Sequence, residues 1–336
     1  MIGAGLAGLG TILFRHFSGR AKLDLHGKVV LITGGSRGLG LATAREFGSY
    51  GATIAICSTT AAELSRAVDD LERLGIRAAG FICDVGDREA VSSLVDRVKE
   101  TFGSIDVLVN NAGVIRVGPA AAMVEDDFEQ AMRVMFWGAF YCSMAVLPEM
   151  RARRAGSIVN ITSIGGKISI PHLLPYSCAK FAVEALSTGL RTELATEGIR
   201  VTTIAPGLMR TGSHLNATFK GNHAEEYAWF AAGAATPVLS ISAQRAARSI
   251  VRATMRGDAE KVLSAPADLA ARVHGLAPEL SAVVLNLVNK FLLPSGMDRP
   301  STQIRKGVEL ENETNSKAWK LATELGRRAA LDLNEA

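Results

Sequence analysis

The chain has 336 residues, of which 48% are hydrophobic, 21% charged and 6% aromatic. That apolar fraction excludes disorder for most of the length and is enough for a large core without disulfides or metal. The 37 Lys and Arg against 33 Asp and Glu leave a net charge of +4 with no dense basic block, which argues against a nucleic-acid partner.

Residues 1–26 read as a separate N-terminal apolar segment. It opens MIGAGLAGLGTILF, with Arg15, His16, Arg20 and Lys22 after it. A spanning helix wants about 20 apolar residues, so this run is short. A secretory signal carries its charge before the apolar run, and here the charge follows. The alternatives are a shallow membrane or partner anchor and a docked helix. Gly3, Gly5 and Gly8 spell GxGxxG, but only Met1 and Ile2 precede them, so no strand aims this turn at a diphosphate.

From residue 27 to 265 short β-branched runs alternate with helical stretches. Strands are expected at Val29–Ile32, Thr53–Cys57, Ala78–Ile82, Val107–Val109, Ser157–Ile161, Val201–Ile204 and Lys261–Leu263. Helices are expected at Leu39–Tyr50, Ala61–Leu74, Arg88–Thr101, Phe128–Ala152, Ser177–Thr196 and Ala243–Arg256. Strands of four or five apolar residues suit a sheet buried on both faces. The alternation predicts a doubly wound, seven-stranded parallel α/β sheet of the Rossmann type, with ligands beyond the carboxyl ends of its strands. Residues 207–242 break the alternation and could roof a pocket. Residues 266–336 form a helical C-terminal extension, apolar over 266–295 and polar over 296–336, where a helix is expected around Lys317–Leu331. In it Leu280, Val283, Val284, Leu287 and Phe291 fall on one helix face, as core or a subunit interface would require.

The four cysteines, Cys57, Cys83, Cys142 and Cys178, make no CxxC pair and read as small buried hydrophobes. The six histidines lack metal-ligand spacing, so no metal site is expected.

Thr33-Gly34-Gly35-Ser36-Arg37-Gly38-Leu39-Gly40 follows a strand and opens a helix. Gly34 allows the tight turn, Gly38 the approach of a diphosphate, and Gly40 the packing of helix on sheet, with the helix N-terminus toward the anion. The second strand ends in Cys57-Ser58-Thr59-Thr60, with no acid to take two free ribose hydroxyls, while Arg37 can reach a 2′-phosphate. NADP is therefore favoured over NAD. Asp84 and Val85 close the third strand, where Asp84 can accept from an adenine amino group. Asn110, Asn111, Ala112 and Gly113 close the fourth, where the small residues leave room for adenosine; the Asn pair also suits turn chemistry. Tyr176 and Lys180, at i and i+4, share a helix face, where the cation stabilises a phenolate. Ser163 follows the strand ending at Ile161 and can hold a carbonyl oxygen.

The segments TGGSRGLG, CDV, NNAG, ITS, YSCAK and APG, in this order across Lys28–Leu263, resemble the short-chain dehydrogenase/reductases. The resemblance implies NAD(P)-dependent hydride transfer at nicotinamide C4. Tyr176 would be the acid/base, Ser163 the carbonyl-positioning group, and Lys180 the group that binds the nicotinamide ribose and lowers the Tyr176 pKa. Pro206, Gly207 and Thr211 would contact the nicotinamide end, with Ile204 beside the carboxamide. Two departures stand out. Met135 occupies a helix position where the family usually has an Asn that supports a proton-relay water. Thr59 stands where many NADP-dependent members carry a base.

The expected function is interconversion of an alcohol and a carbonyl on a bulky apolar small molecule. Ile168, Ile170, Leu173, Leu174, Phe219, Tyr227, Trp229 and Phe230 would wall the pocket or pack its roof. The alternatives are a non-catalytic NADP-binding scaffold or sensor, and an isomerase or dehydratase on the same frame. A cytoplasmic protein is expected, with possible peripheral membrane contact through its N-terminus. The resemblance implies homo-oligomers through the helices Phe128–Ala152 and Ser177–Thr196.

Overall fold

A computed structural model describes residues 22–237, 240–294, 300–313 and 317–335, with side chains in the last stretch from 323 onward. The apolar run and first GxGxxG of the N-terminal segment lie outside these residues. Seven parallel strands form the central sheet: β1 (Val29–Thr33), β2 (Thr53–Ser58), β3 (Ala78–Ile82), β4 (Val107–Asn110), β6 (Gly156–Ile161), β7 (Ile199–Pro206) and β11 (Glu260–Leu263). Their order is β11-β7-β6-β4-β1-β2-β3, so the chain switches direction between β1 and β4. That switch opens a crevice at the carboxyl edge.

The sheet is buried on both faces because successive strand residues point opposite ways. In β1, Val30 and Ile32 join one apolar cluster with α1 (Gly38–Ser49), α2 (Ala61–Arg73) and α9 (Ala243–Arg256). Val29 and Leu31 join the other, against α3 (Arg88–Phe102), α5 (Gly138–Arg153) and α6 (Leu174–Leu194). Asp87 caps α3 by accepting from the amides of Glu89 and Ala90, at 2.9 and 3.1 Å. With Pro175 in its first turn, α6 starts at Leu174, three residues earlier than periodicity suggests, which places Tyr176 in that turn too.

The long helix expected over Phe128–Ala152 runs Glu125–Arg153. It is composed of α4 (Glu125–Ala131), a π-helical segment Met132–Trp137 and α5. It is long and apolar enough to cross a membrane, yet Met135, Cys142, Val146, Leu147 and Met150 face the core. Cys57, Cys83 and Cys142 are buried, as expected; Cys178 is exposed, because it points away from the sheet on α6.

Beyond β7 the roof is built from β8 (Leu208–Arg210), α7 (Ser213–Asn216), β9 (Thr218–Phe219), α8 (His223–Ala235) and β10 (Ser240–Ser242). The extension divides in two. After α10 (Ala265–Leu276), α11 (Pro278–Phe291) holds Leu280, Val283, Val284, Leu287 and Phe291 to solvent, at 49–68% exposure, so this stripe is not core. The remainder folds back. β12 (Arg305–Lys306) pairs antiparallel with β9, which pairs with β5 (Arg116–Val117). Then α12 (Gly307–Glu313) buries Leu310 in the roof, and α13 (Lys317–Asp332) leads to Leu333, buried against Ala42, Ala243 and Ala247.

Candidate active site

The glycine loop joins β1 to α1. Gly34 and Gly38 have φ of +61° and +55°, the left-handed region where a side chain is strained. A Cβ on Gly40 would lie 2.1 Å from the Gly34 carbonyl oxygen, so helix and turn fit only without one. No side chain caps α1, and its first amide, that of Gly38, donates instead to the Leu333 carbonyl at 2.9 Å. Asn111 holds the loop from the next strand: its side-chain amide donates to the carbonyls of Thr33 and Gly34, both at 3.0 Å. Thr33 Oγ1 accepts from the amides of Asn111 and Ala112 at 3.0 and 3.1 Å. These residues fit a dinucleotide cradle: a turn closed to side chains, facing a helix end that no side chain caps.

At the adenosine end, Ser58 is half-buried, and Thr59 and Thr60 are exposed. Arg37 does not stand open. It contacts Asn216 and pairs with Glu63 at 3.4 Å, and Glu63 also accepts from Ser36 Oγ at 3.1 Å. Motif reading missed Glu63, which lies on α2 beyond the strand end. Asp84 accepts from Arg133 at 2.7 Å and from the Gly86 amide at 2.9 Å. Although burial pushes its pKa up, these bonds win and hold it below the usual carboxylate range. Val85 is buried, Ala112 half-buried and Gly113 exposed.

At the carboxyl edge of β6, Ser163 is extended and accepts from the Gly165 amide at 3.0 Å. Its hydroxyl also hydrogen-bonds Tyr176. Lys180 is 4% exposed; its Nζ donates to the Ile161 carbonyl at 2.7 Å and lies 5.7 Å from the centre of the Tyr176 ring. The fold thus gathers Ser163, Tyr176 and Lys180. Their electrostatics differ from expectation. Burial raises the Tyr176 pKa, with the Ser163 hydrogen bond pulling the other way, and Lys180 does not reverse that rise. Burial also brings Lys180 down to about 8, so it holds its proton less firmly than an exposed lysine does. Across the crevice, Pro206 and Thr211 are buried, Gly207 donates to the Leu263 carbonyl at 3.1 Å, and Ile204 is fully buried.

Met135 is 2% exposed in the π segment and lies under Gly113, where a Cβ would meet its sulfur at 3.5 Å. With Thr33, Asn110 and Lys180 it lines a cavity of about 10 Å³, room for one water. Asn110 Oδ1, on this cavity, has no hydrogen-bond partner.

On the substrate side, Leu173, Phe219, Tyr227 and Phe230 form a cluster of their own, with Ile170, Tyr176 and Trp229 packed on it. Most of the expected wall residues are therefore roof packing. Sequence reading also missed a buried pair there. His172 Nδ1 meets Glu226 at 2.8 Å, and Trp229 Nε1 donates to the same carboxylate at 2.7 Å.

The family model described as short chain dehydrogenase matches residues 28–220. A dehydrogenase/reductase SDR family protein 7-like of Anopheles gambiae is 36% identical over 268 residues, 78% of this chain and 83% of that protein. The 5-keto-D-gluconate 5-reductase of Escherichia coli K12 is 36% identical over 188 residues, 56% of this chain and 74% of that protein. Among solved structures, a gluconate 5-dehydrogenase from Burkholderia cenocepacia J2315, in complex with NADP and tartrate, superposes with a TM-score of 0.64 at 27% identity. It covers 73% of this chain and 98% of its own.

Proposed function

From the premise that the chain belongs to the short-chain dehydrogenase/reductase family, whose members are NAD(P)-dependent oxidoreductases, we propose that Ser163, Tyr176 and Lys180 interconvert an alcohol and a carbonyl. The observation that carries this reading is the meeting of the three side chains at the carboxyl edge of β6, opposite the glycine loop. When bound, the nicotinamide supplies or accepts the hydride. The Ser163 hydroxyl donates to the substrate oxygen, and the Tyr176 phenol gives it a proton in reduction or takes one in oxidation. Lys180, held on the Ile161 carbonyl beside the ring, favours the phenolate when charged.

Gly34, Ser36, Arg37, Gly38, Leu39 and Gly40 would hold the diphosphate and adenosine ribose, with Ser58, Thr59, Asp84, Val85, Asn111, Ala112 and Gly113 along the adenosine. Pro206, Gly207 and Thr211 would hold the nicotinamide end. NADP is the preferred form: Arg37 supplies the cation for a 2′-phosphate, and the B. cenocepacia structure is a complex with NADP. The substrate is a bulky apolar alcohol or ketone lying along Ile170 and Trp229, next to Tyr176. The test is oxidation of NADPH and NADH against carbonyls of graded size, with a keto-sugar acid among them. Turnover that prefers NADPH and bulky ketones supports the reading. A preference for NADH would give the ribose end to Glu63, and a preference for the sugar acid would overturn the substrate class.

A further inference from the structure

The segment 332–335 lies in the glycine-loop crevice, and its contacts are specific. The Leu333 carbonyl accepts from the Gly38 amide, first in α1, at 2.9 Å. The Asn334 side-chain amide donates to the Ser36 carbonyl at 2.8 Å and to the Glu63 carbonyl at 3.0 Å, and its Oδ1 accepts from Arg66 at 2.6 Å. Glu335 accepts from the Gly212 amide at 2.5 Å. A Cβ on Gly38 would lie 3.1–3.2 Å from the Glu335 carboxyl carbon and both its oxygens, so that carboxylate fills the space which the glycine leaves open. The Glu335 carboxyl group thus spans the crevice from the glycine loop to the turn after Thr211. Asp332, bonded by Arg45 at 2.7 and 3.2 Å and by Gln244 at 2.8 Å, and buried Leu333 anchor it.

We propose that segment 332–335 is a built-in competitor of the dinucleotide: docked, it covers the diphosphate cradle, and the chain binds cofactor only as this segment leaves. The proposal rests on reading the crevice as the NAD(P) site. Its chemistry is occupation of the cradle: the Leu333 carbonyl takes the first amide of α1, and the Glu335 carboxyl takes the Gly212 amide and fills the space over Gly38. Because the competitor is tethered, it acts at any protein concentration. It lowers apparent cofactor affinity by the fraction of molecules in which the crevice is open, about tenfold if one in ten is open.

The test compares dissociation constants of NADP and NADPH for the full chain, Glu335→Ala and Leu333→Asp, with hydrogen exchange of residues 329–335 followed with and without cofactor. Leu333→Asp removes the anchor; Glu335→Ala leaves it and removes only the carboxylate, so folding is not at stake in both. Tighter binding by both variants, about tenfold, with faster exchange of the segment when cofactor binds to the full chain, is expected. Equal or weaker binding by Glu335→Ala, with the segment still protected under cofactor, overturns the proposal and makes the segment a fixed part of the cofactor site. No dinucleotide binding by any of the three proteins overturns the reading of the crevice itself, and the proposal with it.

Discussion

Tyr176, Ser163 and Lys180 differ in what each loses on substitution. Tyr176→Phe removes the proton donor and keeps the ring packed on the roof cluster. Turnover should fall by about 10²–10⁴-fold, the usual worth of a positioned acid or base, while the cofactor dissociation constant is unchanged. Steady-state rates beside a binding titration check this, and retained turnover would end the acid/base role. Met135→Asn puts an amide on the cavity shared by Thr33, Asn110 and Lys180. Turnover should stay equal or rise, at a stability cost of about 1–3 kcal/mol if the amide finds no partner. Rate and melting temperature measured together decide it; a well-folded variant that loses turnover makes Met135 a working support of Gly113. At this scale the sequence was readable where chemistry is local. Tyr176 and Lys180 are one helical turn apart, and Ser163 follows its strand directly. Glu226 was not readable, because its partner His172 is 54 positions away and neither residue carries a local signal.

Among elements, α1 shows how a helix end becomes a site. Its first turn packs so close to the loop that Gly40→Ala must shift both the Gly34 carbonyl and the Asn111 amide, the latter 2.7 Å from the added carbon. Overpacking of this kind costs about 1–3 kcal/mol. A lower melting temperature and weaker cofactor binding are expected together; a variant unchanged in both would show that the loop tolerates a side chain. The segment after α13 has a pH dependence. Burial pushes Glu335 up to about 7 from its ordinary 4.5, with the Gly212 amide and Arg37 pulling down and Glu63 pushing up. Of the other charged groups there, Asp332 is turned to Arg45, and His214 of α7 faces Gly326 and Tyr227. A carboxyl whose pKa rises on docking takes up a proton, so docking is strongest below 4.5 and weakens as pH climbs toward 7. The affinity gain of Glu335→Ala over the full chain should therefore be larger at pH 5.5 than at pH 8. A constant ratio of dissociation constants would show that Glu335 does not titrate in the docked state. The central helices and strands were legible from periodicity, since each strand is a short apolar run and each helix buries one stripe. The π segment was not, because Met132–Trp137 continues a helical pattern and differs only in its hydrogen bonds.

For the whole molecule, strand order follows from the alternation of strands with helices, and the site from the switch between β1 and β4. The fold-back of the extension does not. Contacts such as Gly38 with Leu333 join positions almost a full chain length apart, and the alanines around Leu333 carry no pattern that names their partner. Of the readings that the apolar stripe of α11 allowed, its exposure removes core, which periodicity alone does not separate from an interface.

The outward position of Cys178, beside two catalytic candidates on one helix, also makes the protein its own reporter of opening. Three of the four sulfurs are sealed inside the sheet and its helices, and one meets solvent. A maleimide dye should therefore label the native chain once, quickly, and the other three positions only as fast as molecules open. The slow phase of that labelling, followed by mass spectrometry, reads the opening rate directly, in any buffer and without a substrate. A second adduct appearing as fast as the first would mean that one of the inner sulfurs is not sealed.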